Sequence, residues 1–281
     1  MDSTRDFLSP YDDKTRDRVL WFLVAGLFVL RIPFLGGMRY FTWTRTSYWV
    51  MPVFEVGTYL LTAILIWRER GRLSSYHIDG LALFILVFGK PIELLWSNYP
   101  GTLGRYLGSE AYMLYVPISV GLLIGLSLTR PKLSGSRPKK WLWVGIGVLT
   151  GVIIGVLSGW LSRLEYNPSR SQLTMKVLML LPVQEMLYAG IAEEPFFRGF
   201  LWGALRKRGW KDGWVLAVQG VLFWLAHIYL IEQSLVTFWV IVPLGGLIFG
   251  VLAWRSRSIG VSMIVHGLAN GVLKMVVFYQ F

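Results

Sequence analysis

Two adjacent carboxylates and an arginine sit inside an apolar stretch, Ala192-Glu193-Glu194-Pro195-Phe196-Phe197-Arg198, and a histidine follows in each of two later apolar segments, at His227 and His266. Ionisable groups in membrane-spanning segments are costly and rare, so they mark candidate functional sites. In a helix Glu194 and Arg198 share a face at i,i+4, which suits a carboxylate–guanidinium pair. Glu193 then points ~100° away and is free to face a different cavity. One ion pair that fixes packing accounts for one glutamate, not two. A carboxylate held in an apolar pocket can trade protons near neutral pH, the property a general acid or base requires. Pro195 removes a backbone N–H and disfavours helical geometry at Glu194, so a kink or loosened turn is expected there.

Taken alone, His227, four residues after Phe223 in mid-segment, reads as a core histidine. His266 and Asn270, again i,i+4, read alone as helix-association glue. Three segments that each offer polar groups have a better common explanation in one water-filled pocket. Other charges in apolar segments are Arg31, Glu55, Lys90, Glu93, Glu185 and Lys274. Lys90 and Glu93 are spaced to pair, and Glu185 lies two turns from Glu193, within reach of the same cavity. A chain of such groups could also be an ion path. One glutamate with two histidines is a known zinc ligand set, although His-Glu-x2-His is absent and Asn270 is a poor zinc ligand.

The elements that must position these residues follow from hydropathy. The 281 residues are 54% hydrophobic and 15% aromatic, with mean hydropathy +0.53, well above a soluble domain. Apolar segments fall at about 19–36, 47–67, 77–97, 110–129, 141–161, 173–197, 213–231, 235–253 and 259–278. Most can cross ~30 Å of hydrocarbon as a helix. The expectation is an all-α, polytopic integral membrane bundle of eight to nine transmembrane helices. The net charge of +12 does not imply nucleic acid, because alternate connections hold 18 Lys and Arg against 5 in the others. That alternation predicts a cytoplasmic N-terminus. Cysteine is absent, which removes disulfides, thiolate metal sites and a cysteine nucleophile. No short apolar stretch followed by a small-residue cleavage site opens the chain, so the first segment is expected to act as the membrane signal. The Pro131–Pro138 loop is the expected boundary between an N-terminal four-helix region, 1–140, and a core over 141–281. Gly147, Gly151, Gly155 and Gly159 form a stripe that would admit a second helix closely.

Glu193-Glu194-x3-Arg198, Phe223-x3-His227 and His266-x3-Asn270, in that order, resemble the CAAX-protease and bacteriocin-processing family, glutamate-type intramembrane proteases that include the type II CAAX prenyl endopeptidases. The likeness covers roughly 173–281, and residues 1–140 carry no matching motif. The resemblance implies peptide-bond hydrolysis without a covalent intermediate and without a cofactor or metal. Glu193 and His227 would activate water, Glu194 and Arg198 would position Glu193, and His266 with Asn270 would hold the oxyanion. It also implies a membrane-anchored protein or peptide substrate, lipidated or sorting-signal substrates included, and location in the cell membrane if the source is prokaryotic. A zinc-dependent protease and a non-proteolytic transporter, sensor or scaffold remain the alternatives.

Overall fold

The computed structural model describes residues 10–32, 47–97, 111–134, 139–165, 175–232 and 234–278. Among the described residues the fold is entirely helical. The helices are α1 Pro10–Val29, α2 Ser47–Arg68, α3 Gly80–Ser97, α4 Tyr115–Thr129, α5 Lys140–Glu165, a continuous helix α6 over 175–207, α7 Asp212–Leu225, α8 Thr237–Ser256 and α9 Ile259–Phe278. Five are long and apolar enough to cross a membrane: α2, α4 with its lead-in, α5, α8 and α9. Their outward faces carry large exposed apolar side chains such as Leu128, Trp141, Leu149 and Trp160, as a helix wall facing lipid requires. The chain is therefore a helical integral membrane protein.

Three expectations about elements change. The segment 213–231 is not one helix: α7 has 14 residues, about 21 Å of rise, and a short 3-10 turn, Ile228–Glu232, follows. His227 thus sits just past a helix end instead of in mid-segment. Helix α6 continues past 197 to the basic residues at its end. Finally, His77, which opens the 77–97 segment and by that position would sit at the membrane surface, is buried, with its backbone in the left-handed region (φ 55°). Its carbonyl accepts the Ile259 N–H at 2.9 Å. Its imidazole faces Trp202. Burial, with Arg206 nearby, lowers the His77 pKa to about 4, so the ring is neutral. Of the basic loop residues, Arg5, Arg39, Arg45, Arg105, Arg137 and Arg170 lie outside the described residues, as does the 135–138 part of the expected boundary.

Close approach sets the register of the site-bearing helices. The glycine stripe of α5 faces α9. A Cβ at Gly155 would fall 2.9 Å from the Ala269 carbonyl, and one at Gly151 would fall 2.9 Å from that of Val265. On its other side α9 offers Gly267 and Gly271, where a Cβ would meet the backbone of Met186 and Pro182 on α6. The start of α9 is anchored by Asp79, which accepts from the Ser258 hydroxyl at 2.9 Å, caps α3 through the Ala82 N–H at 2.9 Å and pairs with Lys140 at 2.8 Å. One carboxylate thereby ties together the starts of α3, α5 and α9. Residues on either side of 140 share one interior, since Gly89 of α3 lies against Ile191 and Leu187 of α6.

Candidate active site

Helix α6 carries the carboxylates, and it is not a uniform α-helix there. A π segment, Met186–Gly190, precedes Ile191–Glu194, and a second, Pro195–Leu201, follows. Glu194 keeps helical torsions (φ −63°, ψ −42°). The proline is accommodated by the wider turn, not by a break. Such π turns free backbone groups and rotate side chains relative to an α-helix, which is why they recur at functional sites. One carbonyl at this point, Ala192 O, accepts from the buried Arg31 guanidinium at the end of α1. Arg31 also lies over the Phe196 ring, 4.9 Å from its centroid.

Glu194 and Glu193 then meet opposite surroundings. Glu194 is fully buried and is satisfied by three donors. Arg198 Nη1 lies 3.2 Å from Oε1, His266 Nδ1 lies 2.7 Å from Oε1, and the Ser262 hydroxyl donates to Oε2. Arg198 is held in turn by the Gly246 carbonyl at 3.1 Å and by the Phe223 face at 4.1 Å. Gln219 donates to the same Gly246 carbonyl at 3.2 Å. A buried charge persists only with such partners.

Glu193 faces a cavity of about 300 Å³, whose wall it shares with His227, His266 and Asn270. Glu194 and Arg198 stand behind that wall. Glu193 Oε2 is 3.6 Å from His227 Nε2 and has no hydrogen-bond partner among the described residues. His227 Nδ1 is 2.8 Å from the Phe223 carbonyl, so Nδ1 carries the proton and Nε2 presents its lone pair to Glu193 when the ring is neutral. Phe223 is the common spacer: its ring lies 4.6 Å from that of His227 and 6.0 Å from that of His266. Two acceptors 3.6 Å apart, Glu193 Oε2 and His227 Nε2, can both reach a single water or a shared proton.

The six residues singled out from sequence occupy one region. Glu194 is the hub, bonded to both Arg198 and His266, while Glu193 faces His227. Glu185 and Lys274 pair on the same cavity wall, and Lys90 pairs with Glu93 at 2.6 Å, away from it. Sequence reasoning passed over Ser262, although Ser262, His266 and Asn270 recur every four residues on one face of α9, a legible signal. Arg31 was visible only as a scattered charge. Tyr188 and Tyr229, which also line the cavity, gave no signal at all. Among the described residues, no three His, Asp or Glu side chains converge as a metal ligand set.

Residues 175–272 match the family model described as Type II CAAX prenyl endopeptidase Rce1-like. That stretch contains all six residues and is the part of the chain in which the motif resemblance was read. No curated protein and no solved structure matches the chain.

Proposed function

We propose that this chain is an intramembrane endopeptidase of the CAAX type, cutting a membrane-anchored protein or peptide with a water activated by Glu193 and His227. The observation that carries the reading is the Glu193 Oε2 to His227 Nε2 approach of 3.6 Å at the cavity wall, within a segment similar to those endopeptidases. A water bonded to both acceptors would attack the scissile carbonyl carbon while Glu193 takes its proton. The tetrahedral intermediate collapses as Glu193 returns that proton to the leaving amine. The C–N bond breaks, and no covalent enzyme intermediate forms.

The oxyanion would form against His266 and Asn270, one helical turn apart on α9 and both on the cavity wall. The Nδ1 side of His266 is committed to Glu194. Donation from Nε2 therefore needs the Glu194–His266 pair to hold one proton between them and a second on Nε2. Glu194, Arg198 and Ser262 position His266 for this. The basic end of the bundle, where α6 and α8 terminate and α9 begins, would be cytoplasmic by the distribution of Lys and Arg. His266, two turns into α9, then lies about 10 Å from that end, shallow enough for water and an extended peptide.

Quantitative proteomics of membranes from cells expressing the wild type or Glu193→Gln tests the reading. The uncut substrate should accumulate with the variant and a new terminus should vanish. The activity should also survive a strong zinc chelator. Equal processing by Glu193→Gln would sink the proposal, and loss of activity to the chelator would transfer it to a metal-dependent hydrolase.

A further inference from the structure

Away from the catalytic cavity, at the basic end of the bundle, a larger cavity of about 770 Å³ opens beside α2 and α4. Arg16, Arg68, Arg70, Arg130 and Lys132 line it, and among the described residues no acidic side chain does. Several of these cations are held in place. Arg16 is fixed by Glu69 at 3.3 Å and by the Arg68 carbonyl at 3.1 Å. Arg70 stacks on Trp67, 4.1 Å from the ring centroid, and donates to the Trp67 carbonyl at 2.8 Å. The Lys132 N–H donates to the Arg70 carbonyl at 3.0 Å, which stitches the end of α4 to the end of α2. Arg68 Nε is buried without a hydrogen-bond partner among the described residues. Like charges gathered around one space repel each other unless an anion joins them.

Ile64 and Trp67 line this basic cavity and also a second one of about 360 Å³. The second runs along α2 and α4 between Leu60, Ala63, Ile118 and Leu122, and among the described residues no charged one lines it. Trp67 is seated at the junction because Gly125 of α4 leaves room for its ring: a Cβ there would fall 2.4 Å from it. A cationic chamber at a helix end, opening directly into an apolar groove between two membrane-spanning helices, has the two-part chemistry of an anionic phospholipid. A phosphate suits guanidinium and ammonium groups, and an acyl chain suits the groove. A soluble anion would use only the first part.

We infer that this is a binding site for an anionic phospholipid, its phosphate held by Arg68, Arg130 and Lys132 and one acyl chain lying between α2 and α4. The site is independent of the proteolytic reading, because none of its residues lines the catalytic cavity. Bound lipid would join the ends of α1, α2 and α4 into one unit.

The full chain, purified in neutral detergent, tests this by native mass spectrometry and thermal unfolding with phosphatidylglycerol, phosphatidylcholine or inorganic phosphate added. Phosphatidylglycerol should be retained and raise the unfolding temperature, and phosphatidylcholine should do neither. Arg130 and Lys132 are exposed, so the Arg130→Gln/Lys132→Gln double variant should fold and bind the lipid about 30-fold more weakly, two cations at the strength typical of basic residues at an anionic surface. Gly121 lines the groove where a Cβ would meet nothing within 4 Å, so Gly121→Leu should fold, block the chain and lose the lipid. Equal binding of the two lipids overturns the inference. So does full competition by inorganic phosphate with Gly121→Leu unaffected, because the site would then serve anions and not lipid.

Discussion

Glu193 and Glu194 show how one residue of spacing separates two roles. Glu194 has a donor on each side and no exposure, whereas Glu193 has a cavity and an imidazole. Removing Arg198 leaves a buried carboxylate short of its main counter-charge, a loss of about 3–5 kcal/mol for such pairs. Arg198→Ala is therefore expected to lower both the folding yield and the unfolding temperature in detergent. Glu193→Gln, nearly isosteric and facing the cavity, should unfold at the wild-type temperature while losing activity. The opposite result, an unfolded Glu193→Gln beside a stable Arg198→Ala, would reverse the roles. On the proposed mechanism the contact of Asn270 strengthens only as the oxyanion forms. Asn270→Ala should lower kcat about 100-fold and leave KM little changed, read from initial rates once a substrate is in hand. A fall confined to KM would remove Asn270 from the oxyanion site.

At the scale of the element, α9 is the helix whose position matters most, because Ser262, His266 and Asn270 all ride on it. It is wedged between the α5 glycines and α6, with backbone contacts on both sides. Gly155→Ala brings a Cβ to 2.6 Å from that of Val272, so one helix must move. The expected loss is about 1–3 kcal/mol, as for other overpacked cores, together with reduced proteolysis as His266 shifts from the Glu193 wall. Gly145 of α5 is the control: a Cβ there meets nothing within 4 Å. Gly145→Ala should be neutral or slightly stabilising, since alanine is the better helix former. Thermal unfolding of the two variants side by side decides this, and equal behaviour would mean that the α5–α9 contact does not set the site.

At the scale of the whole molecule, the basic end works as a clasp. Glu69, between α2 and α3, is buried and takes hydrogen bonds from Arg16 on α1 at 3.3 Å, Tyr76 at 2.9 Å and Lys207 at the end of α6 at 3.5 Å. Burial on its own would raise the Glu69 carboxyl, but Lys207, Tyr76 and Arg16 together outweigh it and hold the group below the usual carboxylate range. A depressed folded-state pKa contributes stability above the unfolded value of about 4.3. That contribution is lost as pH falls through the folded value. The unfolding temperature should therefore drop on acidification below about pH 4.3, and Glu69→Gln, with no proton to gain, should lose stability at pH 7 and show a flatter acid limb. An unchanged acid limb in Glu69→Gln would show that other carboxylates carry it. The same end bears on topology. A cysteine placed at the exposed Lys211 should be shielded from an impermeant maleimide in intact cells and labelled after lysis, and labelling from outside would invert the orientation.

Some of this was written in the linear chain and some was not. Hydropathy marked every helix that carries a site residue, because burial of apolar length in lipid is a local property of about twenty residues. Spacing marked the i,i+4 pair Glu194–Arg198, since a helix brings such residues together whatever surrounds it. The glycine stripe on α5 announced a close neighbour but not which one; that α9 fills it depends on a contact between residues more than a hundred positions apart. The same limit hid the partner of Glu194. The resemblance implied an oxyanion donor at His266 beside Asn270, and only the fold shows its Nδ1 bonded to Glu194 and Arg31 bonded to the Ala192 carbonyl. The end of α7 before His227 was equally invisible, because residues 226–231 remain apolar and the termination is decided by tertiary packing. Composition and spacing decide which residues can meet; which of them do meet depends on how closely the helix backbones approach, and only the tertiary structure sets that.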